Sequence, residues 1–206
     1  MTIDLWIIYI LLFVFVVVLM VFIIKRKPRP IQKRHIVRQA EFKDLESIMD
    51  IVKDAKDLHE QNGTNQWPKD KPYPSYMDFL QDLNAKTLFV YDYGEEVIGV
   101  AAIINADDPN YGIIYDGEWV VPNGNYLTIH RMATKKEYYH KGVARTLISF
   151  AISYAKQNSL DSIRVDTHKD NKEMNDLLQK SGFTKCGTIY LDNDSTRSRI
   201  VYELKV

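Results

Sequence analysis

The chain has 206 residues, 46% of them apolar and 26% charged, with 27 Lys and Arg balanced by 27 Asp and Glu. Its one cysteine, Cys186, cannot form an internal disulfide, which excludes a disulfide-stapled scaffold and fits a reducing compartment. The zero net charge is uneven: residues 25–34 carry six positive and no negative charges, whereas residues 35–206 carry 21 positive against 26 negative. A mildly acidic body with no basic stripe among aromatics is a poor match for nucleic acid.

Residues 5–24 are uncharged and apolar throughout, enough to span about 30 Å as a helix. They have no basic start and no small-residue cleavage site, so a signal peptide does not fit. Residues 1–24 are therefore predicted to be a transmembrane anchor. The basic stretch that follows places the remainder in the cytoplasm by the positive-inside rule, with Trp6 and Tyr9 near the opposite interface. Residues 25–34, with Pro28 and Pro30, read as a stiff juxtamembrane linker able to contact anionic lipid. The sequons at Asn62 and Asn193 then face a compartment that does not glycosylate.

Residues 35–206 are the right length for one domain. A strand is predicted over 36–39. Asp44 is expected to cap a helix with Leu45, Ile48, Met49, Val52 and Ala55 on one face, ending near Asn62 and Gly63. A polar segment leads to a short helix over 76–83, then strands over 87–91 and 97–104 with Glu95 in the turn between them. Residues 105–125 form a connection long enough to suggest a functional reason. A strand from Leu127 runs into a turn, and Gly142 opens a helix whose apolar face is Val143, Leu147, Phe150, Ala151 and Tyr154. Free N–H groups at such a helix start suit phosphate. A strand from Ile163, a helix opened by Asn171, and strands over 187–191 and 200–204 complete the order. The expected fold class is α/β, a mixed sheet with helices packed on it.

Residues 129–134 (IHRMAT) and 139–144 (YHKGVA) resemble the strand and the Q/R-x-x-G-x-G/A loop of the GNAT N-acetyltransferases; Gly142 and Ala144 match, and Tyr139 stands at the Gln/Arg position. Residues 163–168 resemble that family's fifth strand. Residues 171–183 resemble its N-x-x-A-x-x-L-Y-x-K-x-G-F helix, with Asn171, Leu177, Lys180, Gly182 and Phe183 matching and Leu178 in place of the tyrosine that often protonates the departing thiolate. The resemblance covers about residues 35–206. It implies the GNAT acyltransferase fold, acetyl-CoA as co-substrate, and direct transfer of acetyl to a primary amine in a ternary complex.

On that resemblance, Met132, Ala133 and Thr134 pair with the pantetheine arm, and the Met132 N–H polarises the thioester carbonyl. The backbone of Tyr139, His140, Lys141, Gly142, Val143 and Ala144 and the start of the helix hold the phosphates; the Lys141 and Arg145 side chains either add charge there or are solvated surface groups. His130, aligned with a family Glu, is the candidate base; a strand histidine satisfied by its neighbours is the alternative. Asp166 and His168 alternate along the fifth strand, where they either line the substrate cleft or make structural hydrogen bonds. Gln66, Trp67, Tyr115, Asp116, Trp119 and His168 are the candidate substrate residues, because acids beside aromatics suit a cationic amine. Packing is the competing role for each Trp, and Asn171, at the start of its helix, either contacts the cofactor or caps the helix. Cys186 reads as core. No metal site is expected. The expected acceptor is a small-molecule or amino-acid-like amine; a non-catalytic acyl-CoA sensor and a protein N-terminal or lysine acetyltransferase remain as alternatives.

Overall fold

The computed structural model describes residues 5–25, 35–94 and 96–206. Nearly all of the predicted linker, residues 1–4 of the predicted span, and Glu95 of the predicted β-turn lie outside the described residues. The chain divides into two units, residues 1–32 and 33–206.

In the first unit, α1 (Leu5–Lys25) is a 21-residue helix. Its described side chains are exposed, from Trp6 and Tyr9 to Met20. Among the described residues no helix is long and apolar enough to cross a membrane. The span read from the sequence is therefore not established by the structure.

The second unit is built on one mixed sheet of seven strands: β1 (His35–Gln39), β2 (Leu88–Tyr93), β3 (Val97–Ile104), β4 (Tyr126–Thr134), β5 (Ser162–Thr167), β6 (Thr184–Tyr190) and β7 (Ser198–Lys205). The spatial order is β1-β2-β3-β4-β5-β7-β6. Every neighbouring pair is antiparallel except β4 and β5. Four further helices cover it: α2 (Leu45–Gln61), α3 (Tyr76–Asn84), α4 (Val143–Gln157) and α5 (Lys172–Lys180). This is the expected mixed α/β architecture. The strand β6 begins three residues before the predicted start, because a register shift between Lys185 and Gly187 breaks the alternation that marks a strand in sequence.

Side-chain alternation gives the sheet two apolar faces. Leu147, Ile148, Ala151 and Ala155 of α4 and Leu178 of α5 pack on Phe89, Ile98, Ala101, Leu127, Ile163 and Tyr202. Phe150 and Tyr154 are only half-buried at the rim of this layer, where they pack beside Phe89. On the other face Ile48, Ile51, Val52 and Ala55 of α2 and Phe79 of α3 cover Leu88, Val90 and Val100. Each fully buried Leu, Ile or Phe contributes about 1.5–3 kcal/mol.

Asp44 does not cap α2. It sits in a short 3-10 turn (Phe42–Asp44), where its carboxylate accepts from the Glu41 N–H at 2.7 Å and from the Arg38 guanidinium at 2.7 and 3.0 Å. The ion pair with a β1 residue decides the orientation, and the local cap signal loses.

The long connection, residues 105–125, is a fixed cover on the second face, over β5, β7 and β6. Tyr111 and Trp119 pack on Cys186, Ile189 and Val201, which makes Cys186 a core residue as expected. Tyr115 bridges to Thr188. Gly117 lies so close to β6 that a Cβ there would meet the Cys186 carbonyl oxygen at 1.8 Å, so only glycine fits.

Candidate active site

The parallel strands β4 and β5 pair at only three positions, Tyr126 with Ser162, Leu127 with Ile163 and Thr128 with Arg164. Beyond Thr128 they part, and a cleft of about 1410 Å³ opens between them. That volume exceeds an ordinary ligand pocket and has room for a nucleotide-bearing cofactor together with a second molecule.

One wall is β4 itself, bent by a bulge. Ala102 pairs with His130 and Val100 with Ala133, so two residues, Arg131 and Met132, stand opposite Ala101 alone. Arg131 takes φ +50. The extra residue reverses the alternation: Ile129 faces the α4 layer, whereas Ala133 faces the α2 layer. The Arg131 side chain is fixed by Asp82 of α3 through two bonds of 2.7 Å and by the Tyr73 hydroxyl at 3.2 Å. Burial acts to lower the Arg131 pKa, but the Asp82 and Tyr73 bonds outweigh it and raise the value.

His130, just before the bulge, is held between two carboxylates. Its Nε2 lies 3.1 Å from Asp108 of the long connection and its Nδ1 3.8 Å from Asp166 on β5. The Tyr111 hydroxyl donates to Asp166 at 2.9 Å. Burial drives the Tyr111 pKa well up, and Asp166 and Asp108 push it further, so the phenol stays a donor. At Asp108 burial acts to raise the pKa, but the His130 and Asn110 bonds win and hold the carboxyl below the usual range. His168 lies just past the end of β5 on the cleft wall, where its Nδ1 faces the Asp170 N–H and carboxylate; burial and then Arg199 push its pKa down.

At the other end of the cleft, α4 begins after Gly142, which is left-handed at φ +83 with open space around its missing Cβ. The backbone angle, rather than crowding, calls for glycine there. The first N–H groups of α4 have no intrahelical acceptor and point to a common centre with the positive end of the helix dipole. In the preceding loop the Tyr139 and Lys141 N–H groups are already bound, to the Lys136 and Tyr138 carbonyls. The Tyr139 and Lys141 N–H groups are therefore not available to an anion, and the donors that remain are those of His140 and residues 142–145. The Tyr139 hydroxyl is buried without a partner among the described residues, and burial together with Asp54 and Asp57 pushes its pKa up to about 12.

The cleft wall brings together most of the predicted residues: His130, Met132, Ala133, Thr134, Tyr139, His140, Gly142, Val143, Ala144, Arg145, Asn171, Gln66, Trp67 and His168. Gln66 also ties its loop across the cleft mouth, accepting from Thr167, His168 and Asn171 at 3.2, 3.3 and 2.9 Å. Asn171 caps α5 by accepting from the Met174 N–H, so both ends of its amide are engaged.

Four residues are corrected. Lys141 points away from the cleft, over the Tyr138 ring at 5.1 Å. Trp119 is buried, its indole donating to the Tyr111 carbonyl and its ring lying 4.1 Å from the Arg164 guanidinium. Tyr115 packs on Tyr190 outside the cleft, and Asp116 is exposed beside it at φ +57. An aromatic and acidic loop has the same composition whether it binds ligand or seals a core. The sequence reading missed Asp108, Tyr111, Tyr73 and Arg199. Only Asp108 and Tyr111 carried a signal, the unusual length of the loop that holds them.

With this geometry in hand, comparison with known proteins is informative. The sequence pattern of the Acetyltransferase (GNAT) family matches residues 48–183. The structure is similar to a GNAT-family acetyltransferase from Streptococcus agalactiae at 27% identity and TM-score 0.75, covering 83% of this chain and 95% of that one. It shares its fold with an N-acetyltransferase from Staphylococcus aureus (20% identity, TM-score 0.59, 84% and 98% covered). It does so too with yncA of Salmonella typhimurium, solved with its cofactor acetyl-CoA (17% identity, TM-score 0.58, 82% and 92% covered). Among curated proteins no relative matches.

Proposed function

The chain belongs to the GNAT acetyltransferase family, whose members use acetyl-CoA as co-substrate, and on that basis we propose that it moves the acetyl group to a primary amine with His130 as the base. The observation that supports this most is the cleft itself: an unpaired helix start at one end and His130 between two carboxylates at the other. Residues 142–145 fit a diphosphate through free N–H groups, and the open edge of β4 over 132–134 fits the amides of an extended pantetheine arm. The Met132 N–H, turned by the bulge, is assigned to the thioester carbonyl oxygen.

In the neutral ring, donation from Nε2 to Asp108 leaves the Nδ1 lone pair on the side of Asp166. An incoming ammonium can rest against Asp166 and pass one proton to Nδ1. The freed amine then attacks the thioester carbon; as the new C–N bond forms and the C–S bond breaks, the second amine proton passes from the nitrogen to water. The departing thiolate takes a proton back from water, because Leu178, at the position of the family tyrosine, is an apolar side chain fully buried in the core. Calorimetric titration of acetyl-CoA into the full chain, followed by thiol release with a panel of amines, tests the reading. Binding with amine-dependent release supports it; binding without release moves the weight to an acyl-CoA sensor.

We extend the proposal to location: α1 anchors the protein, with residues 35–206 on the cytoplasmic side. The support is the uncharged sequence over 5–24, the exposure of the described side chains of α1, and the six positive charges over 25–34. The full chain should stay with membranes through an alkaline carbonate wash, and a chain lacking residues 1–24 should not. Release of the full chain by the wash would sink the anchor.

A further inference from the structure

Six cationic side chains line the cleft: Lys71, Arg131, Arg145, Lys180, Arg197 and Arg199. Their partners separate them. Arg131 is spent on Asp82 and Tyr73, and Arg197, with its side chain 48% exposed, is ion-paired with Asp192. Lys71, Arg145 and Lys180 are exposed. Arg199, on β7, is different: its side chain is only 16% exposed, yet its one hydrogen bond among the described residues goes from Nη1 to the neighbouring Ser198 carbonyl at 2.9 Å. The nearest carboxylate oxygen, Asp166 Oδ2, lies 3.8 Å from Nε, too far for a hydrogen bond. A guanidinium has five N–H donors in a planar fork, so most of this fork is unspent.

Asp166 stands between Arg199 and the base. One of its oxygens faces His130 Nδ1 at 3.8 Å and the other faces Arg199 Nε at 3.8 Å. The site therefore presents an amine-binding pair and a free anion-binding fork on either side of a single carboxylate. We propose that Arg199 selects acceptors that carry a carboxylate close to the amine, in the manner of a free amino acid, by taking that carboxylate on its unspent N–H fork.

This rests on the acetyltransferase reading above, and names the substrate class of the same site. A bidentate carboxylate would take the guanidinium donors that the protein leaves to the cleft. Burial lowers the Arg199 pKa against the pull of Asp166, which is the direction of an incompletely compensated charge. The cleft also explains why the fork stays free. The β6–β7 turn that carries Arg197 is closed on itself by the Arg197–Asp192 pair and tied to Asn110 through the Asp192 N–H at 2.8 Å, so it offers Arg199 no acceptor.

The test uses the full chain in mild detergent with acetyl-CoA. Thiol release is measured for amino acids whose amine and carboxylate are separated by one to four carbons, and for the same compounds with the carboxylate converted to an amide. The expected result is kcat/KM at least about tenfold higher for one or more acids than for their amides. Arg199→Gln should remove that preference by raising KM for the acids far more than for the amides, with the KM for acetyl-CoA unchanged, and Arg199→Lys should restore part of it. Equal turnover of acids and amides by the parent overturns the inference and leaves the transferase reading standing. So does an Arg199→Gln defect confined to acetyl-CoA binding. Release with neither series, although acetyl-CoA binds, overturns both.

Discussion

Two clusters of charge lie on one face of β5 and β7 and do opposite things. Arg164 and Glu203 pair at 2.9 Å with side chains 4% and 0% exposed, and each is bonded further: Ser162 and the Val121 N–H donate to Glu203, and Arg164 donates to the Val121 carbonyl. The guanidinium is sandwiched between Trp119 and Tyr126 at 4.1 and 4.0 Å. Two residues along β5, Asp166 meets Arg199 and His130 at 3.8 Å, and both sit on the cleft wall. The first pair is capped by residues 105–125 and lies outside the cleft wall. The second lies where that cover ends and keeps donors and acceptors in reserve. A closed network fixes structure; an incomplete one at a cleft is what a substrate can complete.

The largest expected break in this comparison is functional. His130→Gln should lower kcat for acetyl transfer by about 10²- to 10⁴-fold while the melting temperature stays near the parent value. A variant with parental turnover would place His130 among the structural groups. In the closed cluster the effect should fall on stability: Glu203→Ala strands Arg164 in the core and should cost about 3–5 kcal/mol by denaturant titration, whereas replacing both partners with apolar residues of similar size should be near neutral. If the double replacement is as damaging as the single one, the pair does more than fill space.

Gly142→Ala should cost about 1–2 kcal/mol from backbone strain at φ +83, with no clash to add to it, and should weaken acetyl-CoA binding by shifting the helix start. Unchanged affinity would mean that the cradle is not where the phosphates sit. The smallest effect is in pH. Because the folded Asp108 value is depressed below the ordinary 3.8, its contribution is fully present above that pH and is lost as pH falls through the lower folded value. Asp108→Asn should make the acid limb of stability shallower. An unaltered acid limb would show that the His130 contact adds nothing to folding.

What could be read from the sequence follows how local each signal is. Gly142 and the periodic face of α4 lie within fifteen residues of each other, so the helix and its anion-ready start were visible. Arg199 is 69 positions from His130, and no spacing rule links them; they meet only because β7 pairs with β5 and β5 lies across the cleft from β4. Trp119 looked like a recognition residue because composition does not say which way a loop faces. Asp44 looked like a cap because the pattern does not show Arg38 reaching across from β1.

The sequence by itself determined most of the elements and the mixed sheet, since these follow from local periodicity and from the order in which strands and helices alternate. Only the tertiary structure decided which charged groups are sealed and which stay open. That depends on the β4–β5 divergence and on how far residues 105–125 extend over the sheet, and burial of a charge is set by everything packed around it rather than by its neighbours in the chain.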